Sequence, residues 1–266
     1  MTIGAAGYVS IAELIIYIPA LVAAIIVCFR HGIHRASGWI YTVILCMVRI
    51  AGAICQLLTY GNPSDGLFQA TLILDSIGIS PLLFATLGVI SRFADWVNSR
   101  GTEVFTTKQF RFVQLLVTLG LILSVVGGTS GTTSADGQIM LPATSKAGVV
   151  LYIVAFLGLT IFLLMSFGYM KAVSGQERRS PIAVAVAWPF ILTRLIYSAL
   201  AVFLQNSTFS IIGGNVAVHV ALAVVEELLV VIDYLILGFS LRKLKPEERG
   251  ALANRAWKGR RGRNNH

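Results

Sequence analysis

Seven apolar runs separated by polar connections dominate the chain: Tyr8–Phe29, Gly38–Tyr60, Leu67–Phe93, Phe110–Gly127, Ala147–Met170, Pro181–Leu204 and Val216–Leu241. Each has roughly the 20 residues that a helix rising 1.5 Å per residue needs to cross a ~30 Å hydrocarbon core. The breaks carry turn chemistry. "GNPSDG" at 61–66 reads as a tight turn, and "GGTSGTTSADGQIMLPATS", from Gly127 to Ser145, as a Gly/Ser/Thr-rich loop. The pattern predicts an all-α polytopic membrane protein, with a seven-helix transmembrane domain over residues 1–241 and a flexible basic tail over 242–266. The amino-terminal stretch has neither a basic leader nor an evident cleavage site, so it reads as a retained first span.

Composition agrees with that class. Of 266 residues, 56% are apolar and 12% charged, with a mean hydropathy of +0.79, whereas soluble domains carry about 25% charged residues. The formal charge of +9 is concentrated after Arg242, where it suits attraction to anionic lipid headgroups rather than nucleic acid. The other basic residues also fall unevenly. Arg30 and Arg35 follow the first run, Arg92, Arg100, Lys108 and Arg111 surround the third connection, and Lys171, Arg178 and Arg179 occupy the fifth. The remaining connections contain only Lys146. Lys and Arg mark cytoplasmic loops, so the amino end is expected outside or in a lumen and the carboxyl tail in the cytoplasm. A glycosylation sequon at Asn206 falls on the lumenal side of that topology. The implied location is the endoplasmic reticulum or the plasma membrane. Cys28, Cys46 and Cys55 lie in apolar runs without CxxC spacing, so neither a disulfide framework nor a metal site is expected.

Against this background the polar residues inside the runs stand out. Five acids, Glu13, Asp75, Glu226, Glu227 and Asp233, and two arginines, Arg49 and Arg194, lie within apolar sequence. Each charge near a bilayer centre costs at least ~2.5 kcal/mol on insertion scales, so such residues are expected to face a protein interior or a water-filled cavity. By depth, Glu13, Arg49, Gln56, Asp75, Arg194, Tyr197, His219, Glu226 and Glu227 fall between the midplane and the outer surface, with Asp233 nearer the cytoplasm. They can share one outward-facing cavity. Full ionisation would leave three negative charges uncompensated, so at least one acid is expected to be neutral at pH 7. A proton held in this way serves either a general acid or a coupled transporter. Buried Arg–carboxylate pairs that merely join helices are the structural alternative.

Two further patterns bear on mechanism. "MVRIAGAICQLL" in the second run and "LTRLIYSALAVFLQ" in the sixth each centre an arginine. Each follows a run containing Tyr-Ile and precedes one carrying acids. This spacing suggests a parallel three-plus-one-plus-three repeat of the kind some transporters have. In "DSIGISPLLFATLGVISR", Pro81 frees a backbone carbonyl in mid-run, with Ser80 and Thr86 available to satisfy it. Pro19 and Pro189 interrupt the first and sixth runs in the same way.

"AELIIYIPALVAAIIVCFRHGIHRASGWIY", "MVRIAGAICQL" and "DSIGISPLLFATLGVISR" resemble a widespread fungal family of uncharacterised seven-helix membrane proteins. Tyr17, Pro19, Arg30, His31, Gly32 and Ser80 to Leu83 carry the resemblance. It implies an endomembrane or plasma-membrane protein, sometimes tied to specialised metabolism, and brings no catalytic residues with it. A retinal protein is excluded because Val216–Leu241 contains no lysine. Nucleotide loops, HExxH and GxSxG are absent as well. The expectation is therefore a protein that binds, and transforms by acid–base chemistry, a lipophilic small molecule such as an isoprenoid. Glu226 or Glu227 would be the proton donor and Asp75 or Glu13 its carboxyl partner. Arg49 and Arg194 would set the field, while Tyr197, His219 and Gln56 would orient the ligand. No cofactor is called for. The rivals are a proton-coupled transporter using the same acids, and a receptor whose basic tail engages a partner.

Overall fold

A computed structural model describes residues 4–31, 37–62, 64–99, 104–129, 132–133, 139–140, 142–170, 173, 175–204 and 216–242. The apolar runs fold as helices: α1 (Ala5–His31), α2 (Ser37–Gly61), α3 (Asp65–Ile77), α4 (Ile79–Asn98), α5 (Thr107–Thr129), α6 (Ala143–Tyr169) and α7 (Arg179–Phe203). The last run comprises α8 (Val216–His219), a π-turn (Val220–Val224) and α9 (Val225–Ser240) in unbroken succession. A two-stranded antiparallel ribbon, β1 (Thr132–Thr133) with β2 (Ile139–Met140), lies in the α5–α6 connection. Among the described residues, six helical stretches are long and apolar enough to cross a membrane, α3 and α4 counting as one. The run from 216 to 240 is about 37 Å long at the standard rise.

The third run is the hub. Every residue of α4 from Ile79 to Val97 is buried, and α4 packs against α2, α5, α6 and α7. In the other candidate spans fewer than half of the residues in the apolar stretch are buried. Their outer faces carry exposed Ile15, Ile26, Phe112, Leu157, Leu164 and Ile236 among others, the apolar surface that lipid covers.

Local sequence explains how the hub is built. Ser64 opens α3 by accepting from the Leu67 N–H at 3.4 Å. The chain breaks at Gly78, and Pro81 supplies no N–H to the Ile77 carbonyl one turn earlier. Ser80 Oγ donates to that carbonyl at 2.9 Å, as expected. Thr86 does something else: it donates to Leu82 O at 2.9 Å and meets the Tyr234 hydroxyl at 2.7 Å, tying α4 to α9. Small residues set the α5–α6 contact. A Cβ on Gly148 would stand 2.6 Å from Ser124 Oγ and 3.0 Å from Gly120 O, and one on Gly120 would stand 2.8 Å from the Tyr152 ring. Close backbone approach of this kind holds helices together where lipid offers no hydrophobic drive.

Candidate functional site

Four separate stretches of helix bring their charges to one place. Glu227 of α9 is fully buried, and its two carboxylate oxygens are divided between two arginines. Arg49 Nε of α2 donates to Oε2 and Arg194 Nε of α7 to Oε1, both at 2.6 Å. Asp75 of α3 completes the ring. Its Oδ1 accepts from Arg49 Nη1 at 2.9 Å, and its backbone carbonyl accepts from Arg194 Nη2 at 2.9 Å. That carbonyl also takes the Gly78 N–H at 3.3 Å, next to the α3–α4 break. Gly78 leaves room for the bridge, since a Cβ there would meet the Glu227 oxygens at 3.0 and 3.2 Å.

Further groups surround this core. Arg194 Nη1 donates to Ser198 Oγ at 2.6 Å. His219 Nε2 lies 3.8 Å from Asp75 Oδ1, and its Nδ1 is 3.1 Å from the Tyr197 hydroxyl. Glu13 of α1 stands 3.7 Å from Arg49 Nη1. Glu13 Oε1, Tyr17 OH, Arg49 Nη2 and Asp75 Oδ2 are buried polar atoms without a hydrogen-bond partner. Two of these are donors and two are acceptors. With Glu13, Asp75 and Glu227 ionised against Arg49 and Arg194, the cluster carries one net negative charge. One proton, on an acid or on His219, brings it to neutrality.

A partly open cavity of about 50 Å³ adjoins the cluster between α3, α5, α6 and α7. Asp75, Ser76, Arg194, Tyr197 and Ser198 form its polar wall on the cluster side, with Ser124, Ser145 and Tyr152 across α5 and α6. Leu72, Ile79, Val149, Ala201 and Val202 supply apolar surface. At ~10–15 Å³ per water, it admits a few waters or one small polar head group.

The two adjacent glutamates part company here. Glu227 is in the cluster, whereas Glu226 is half-buried on another face and its Oε2 has no hydrogen-bond partner. The π-turn explains the choice. On a regular helix turning ~100° per residue, Glu226 would share the face of His219 and Glu227 would sit about 80° away. Val225 N–H bonds to Val220 O across five residues. That wider turn spends about one extra residue and sets everything after it back by ~100°. Glu227 then shares the face of His219. Asp233 lies two turns below, half-buried, with Oδ2 unpartnered. Gln56 is half-buried, and its side chain makes no hydrogen bond among the described residues. Asn206 and the tail from residue 243 lie outside the described residues.

A second polar cluster, not anticipated from the sequence, closes the opposite end. Arg92 in α4 holds both oxygens of Glu177, just before α7, with Nη2 at 2.8 Å from Oε1 and Nε at 3.2 Å from Oε2. The same Nη2 donates to Arg242 O at 2.6 Å. Arg92 Nη1 lies 3.3 Å from His31 Nδ1, and His31 Nε2 lies 2.9 Å from Gly238 O. A carbonyl only accepts and a guanidinium only donates, so His31 is the Nε2–H tautomer. The ring stacks on Trp39, and Arg30 donates to Phe239 O at 3.0 Å. The ends of α1, α4 and α9 and the starts of α2 and α7 are thus fastened at one point. The sequence signal is "RHG" after the first run, part of the quoted resemblance; Arg92 by itself reads as a flanking charge.

Among the described residues no group of three His, Cys, Asp or Glu is arranged to hold a metal ion. The family model that matches residues 3–244 is described as a domain of unknown function, DUF7702, and the chain belongs to that family. No curated protein matches the chain.

Proposed function

We propose, on the premise of that family membership, that the chain is a seven-span membrane protein whose intramembrane pocket binds a lipophilic small molecule and exchanges a proton with it. The observation that carries this reading is the double position of Asp75. It belongs to the acid–arginine cluster and to the cavity wall, and its Oδ2 is buried and unpartnered. A ligand entering the cavity meets a carboxylate whose charge is already balanced by Arg49 and Arg194. Proton movement among Asp75, His219 and Glu13 then lets one group act as acid or base without leaving a bare charge in hydrocarbon. The run from 216 to 240 is the seventh span in this reading. The amino end faces outward or into a lumen, which the uneven placement of Lys and Arg supports. The cluster then sits in the outer half of the bilayer and the Arg92–Glu177 pair at the cytoplasmic rim. Purified full-length protein, compared with Ala201→Phe and Val202→Phe variants that fill the cavity, tests the assignment through the lipophilic compounds that co-purify. A compound enriched in the unmodified protein and depleted in both variants is expected. Identical profiles in all three would refute it.

Two rival readings each have one supporting observation. Arg49 in the second span and Arg194 in the sixth play matching parts, each donating Nε to Glu227 at 2.6 Å, which favours the three-plus-one-plus-three repeat of a proton-coupled transporter. Uptake into vesicles driven by a pH gradient and abolished by Glu227→Gln would establish that reading. A receptor is favoured by α7, which links both clusters. It carries Arg194 at the cavity, starts beside Glu177 at the rim and contains Pro189 between them. Constitutive association with a cytoplasmic partner in Arg92→Gln, absent without that change, would point there.

A further inference from the structure

The ligand's chemical class follows from how the cavity wall is balanced, given the pocket's role as a binding site. Three nitrogens of Arg194 are committed: Nε to Glu227, Nη1 to Ser198 and Nη2 to the Asp75 carbonyl. Its charge is matched by Glu227, so the wall offers little to a carboxylate or phosphate head. Asp75 is paired with Arg49 at 2.9 Å, and once the proton that neutralises the cluster is in place an ammonium head gains no free counter-charge. What stays available is an acceptor, Asp75 Oδ2, on a side chain more than nine-tenths buried. Beside it is a set of hydroxyls. Tyr152, 1% exposed, has its hydroxyl beside Ser124 and Ser80, and Ser145 lies further along α6. A neutral group that both donates and accepts one hydrogen bond satisfies both sides at once. The apolar wall of Leu72, Ile79, Val149 and Val202 suits the hydrocarbon next to that group. A space of about 50 Å³ fits a hydroxyl and its first carbons rather than a sugar or a nucleotide.

We propose that the pocket takes the hydroxyl end of a lipophilic alcohol, with Asp75 Oδ2 accepting from its O–H and Tyr152 donating to its oxygen. This specificity rests on the pocket being the ligand site. Such an alcohol is either a long-chain isoprenol or a sterol, and the two share the recognised group. A carboxylate acceptor also gives discrimination, since an ether of the same shape leaves Asp75 Oδ2 unsatisfied.

The test is equilibrium binding to full-length protein in phosphatidylcholine nanodiscs. The probes are radiolabelled geranylgeraniol and ergosterol, each beside its methyl ether, together with geranylgeranoic acid and geranylgeranylamine. The expected result is that at least one alcohol binds about 10-fold or more tightly than its ether. Tyr152→Phe, which keeps the ring on Gly120, should reduce that preference several-fold, and whichever alcohol shows it identifies the source. Asp75→Asn, which keeps the shape but not the charge, should weaken the alcohol while leaving the ether unchanged. Should Asp75→Asn fail to fold, Tyr152→Phe and Ser124→Ala still report on the hydroxyl contact. Alcohol and ether binding equally, with both blocked by Ala201→Phe, would overturn the alcohol assignment and leave the pocket as a ligand site. Tighter binding of the acid or the amine would overturn it as well. If no probe binds and none is displaced by filling the cavity, the alcohol assignment fails, and the co-purification experiment then decides separately whether the pocket holds any ligand.

Discussion

Replacing Glu227 with Gln keeps the side-chain volume and exchanges one carboxylate oxygen for an NH2 group. Both oxygens are in use, each accepting at 2.6 Å from a different arginine. The amide satisfies only one of them. Its NH2 faces the N–H of the other guanidinium, so that arginine loses its acceptor in a fully buried position. Breaking a buried ion pair from one side costs about 3 kcal/mol or more. For a chain of this size each kcal/mol lowers the unfolding midpoint by ~2–4 °C, so a fall on the order of 6–12 °C is expected. Thermal unfolding of the purified protein in a mild detergent measures it. Glu226→Gln is the internal control: it changes the same chemistry one residue away, on a group without a partner, and should stay within about 0.5 kcal/mol. A cycle combining Glu227→Gln with Arg194→Met isolates the pairing, and the double variant should be less destabilised than the sum of the singles by about 1 kcal/mol or more. Equal destabilisation by the two Gln variants, or none by either, would refute the cluster as drawn.

Three further outcomes follow from single contacts. Ser80→Ala strips the Ile77 carbonyl of its donor and should cost about 1–2 kcal/mol in chemical denaturation; in a Pro81→Ala background, where a backbone N–H returns, the cost should largely vanish. Gly148→Val drives a branched side chain into Ser124 and the Gly120 carbonyl and should destabilise by about 1–3 kcal/mol in the same assay, whereas Gly168→Ala, which meets nothing within 4 Å, should not. Deleting Ala221, an exposed residue of the π-turn, removes the extra residue while keeping His219 and Glu227 on one face, so the protein should fold with its thermal midpoint within a few degrees. Deleting Leu229 instead leaves Glu227 in place but rotates Val230, Val231, Tyr234 and Leu237 out of the core, and should abolish folding.

The membrane class was legible because hydrophobic length is a local property that no partner has to confirm. Runs read at about 20 residues each became helices within a few residues of their expected ends. The break in the third run was also legible, since Pro81 removes a donor wherever it sits, and Ser80 was already identified as a replacement. Convergence of Glu13, Arg49, Asp75 and Arg194 was foreseeable from shared depth alone. Position around a helix was not, because that depends on every turn being regular. Sequence carries no local mark that Val220–Val224 closes as a five-residue turn, and without it the phase extrapolated from His219 selects the wrong glutamate. The same limit hid the Arg92–Glu177 pair, whose members are 85 residues apart, Arg92 reading as a flanking charge and Glu177 carrying no signal of its own.

The π-turn therefore has consequences beyond one helix. A regular helix would present Glu226 on the His219 face and turn Glu227 about 80° away from it. With the π-turn at Val220–Val224, it is Glu227 that joins α2 to α7 by accepting from Arg49 and Arg194. Glu227 in turn requires Gly78 opposite it, and Gly78 lies at the break that lets Asp75 present both its carboxylate to Arg49 and its carbonyl to Arg194. Two local irregularities, the π-turn and the α3–α4 break, thus meet at the same four side chains. Both departures from regular helix thus lie at the buried charge cluster, the place where the proposed binding and proton exchange would occur.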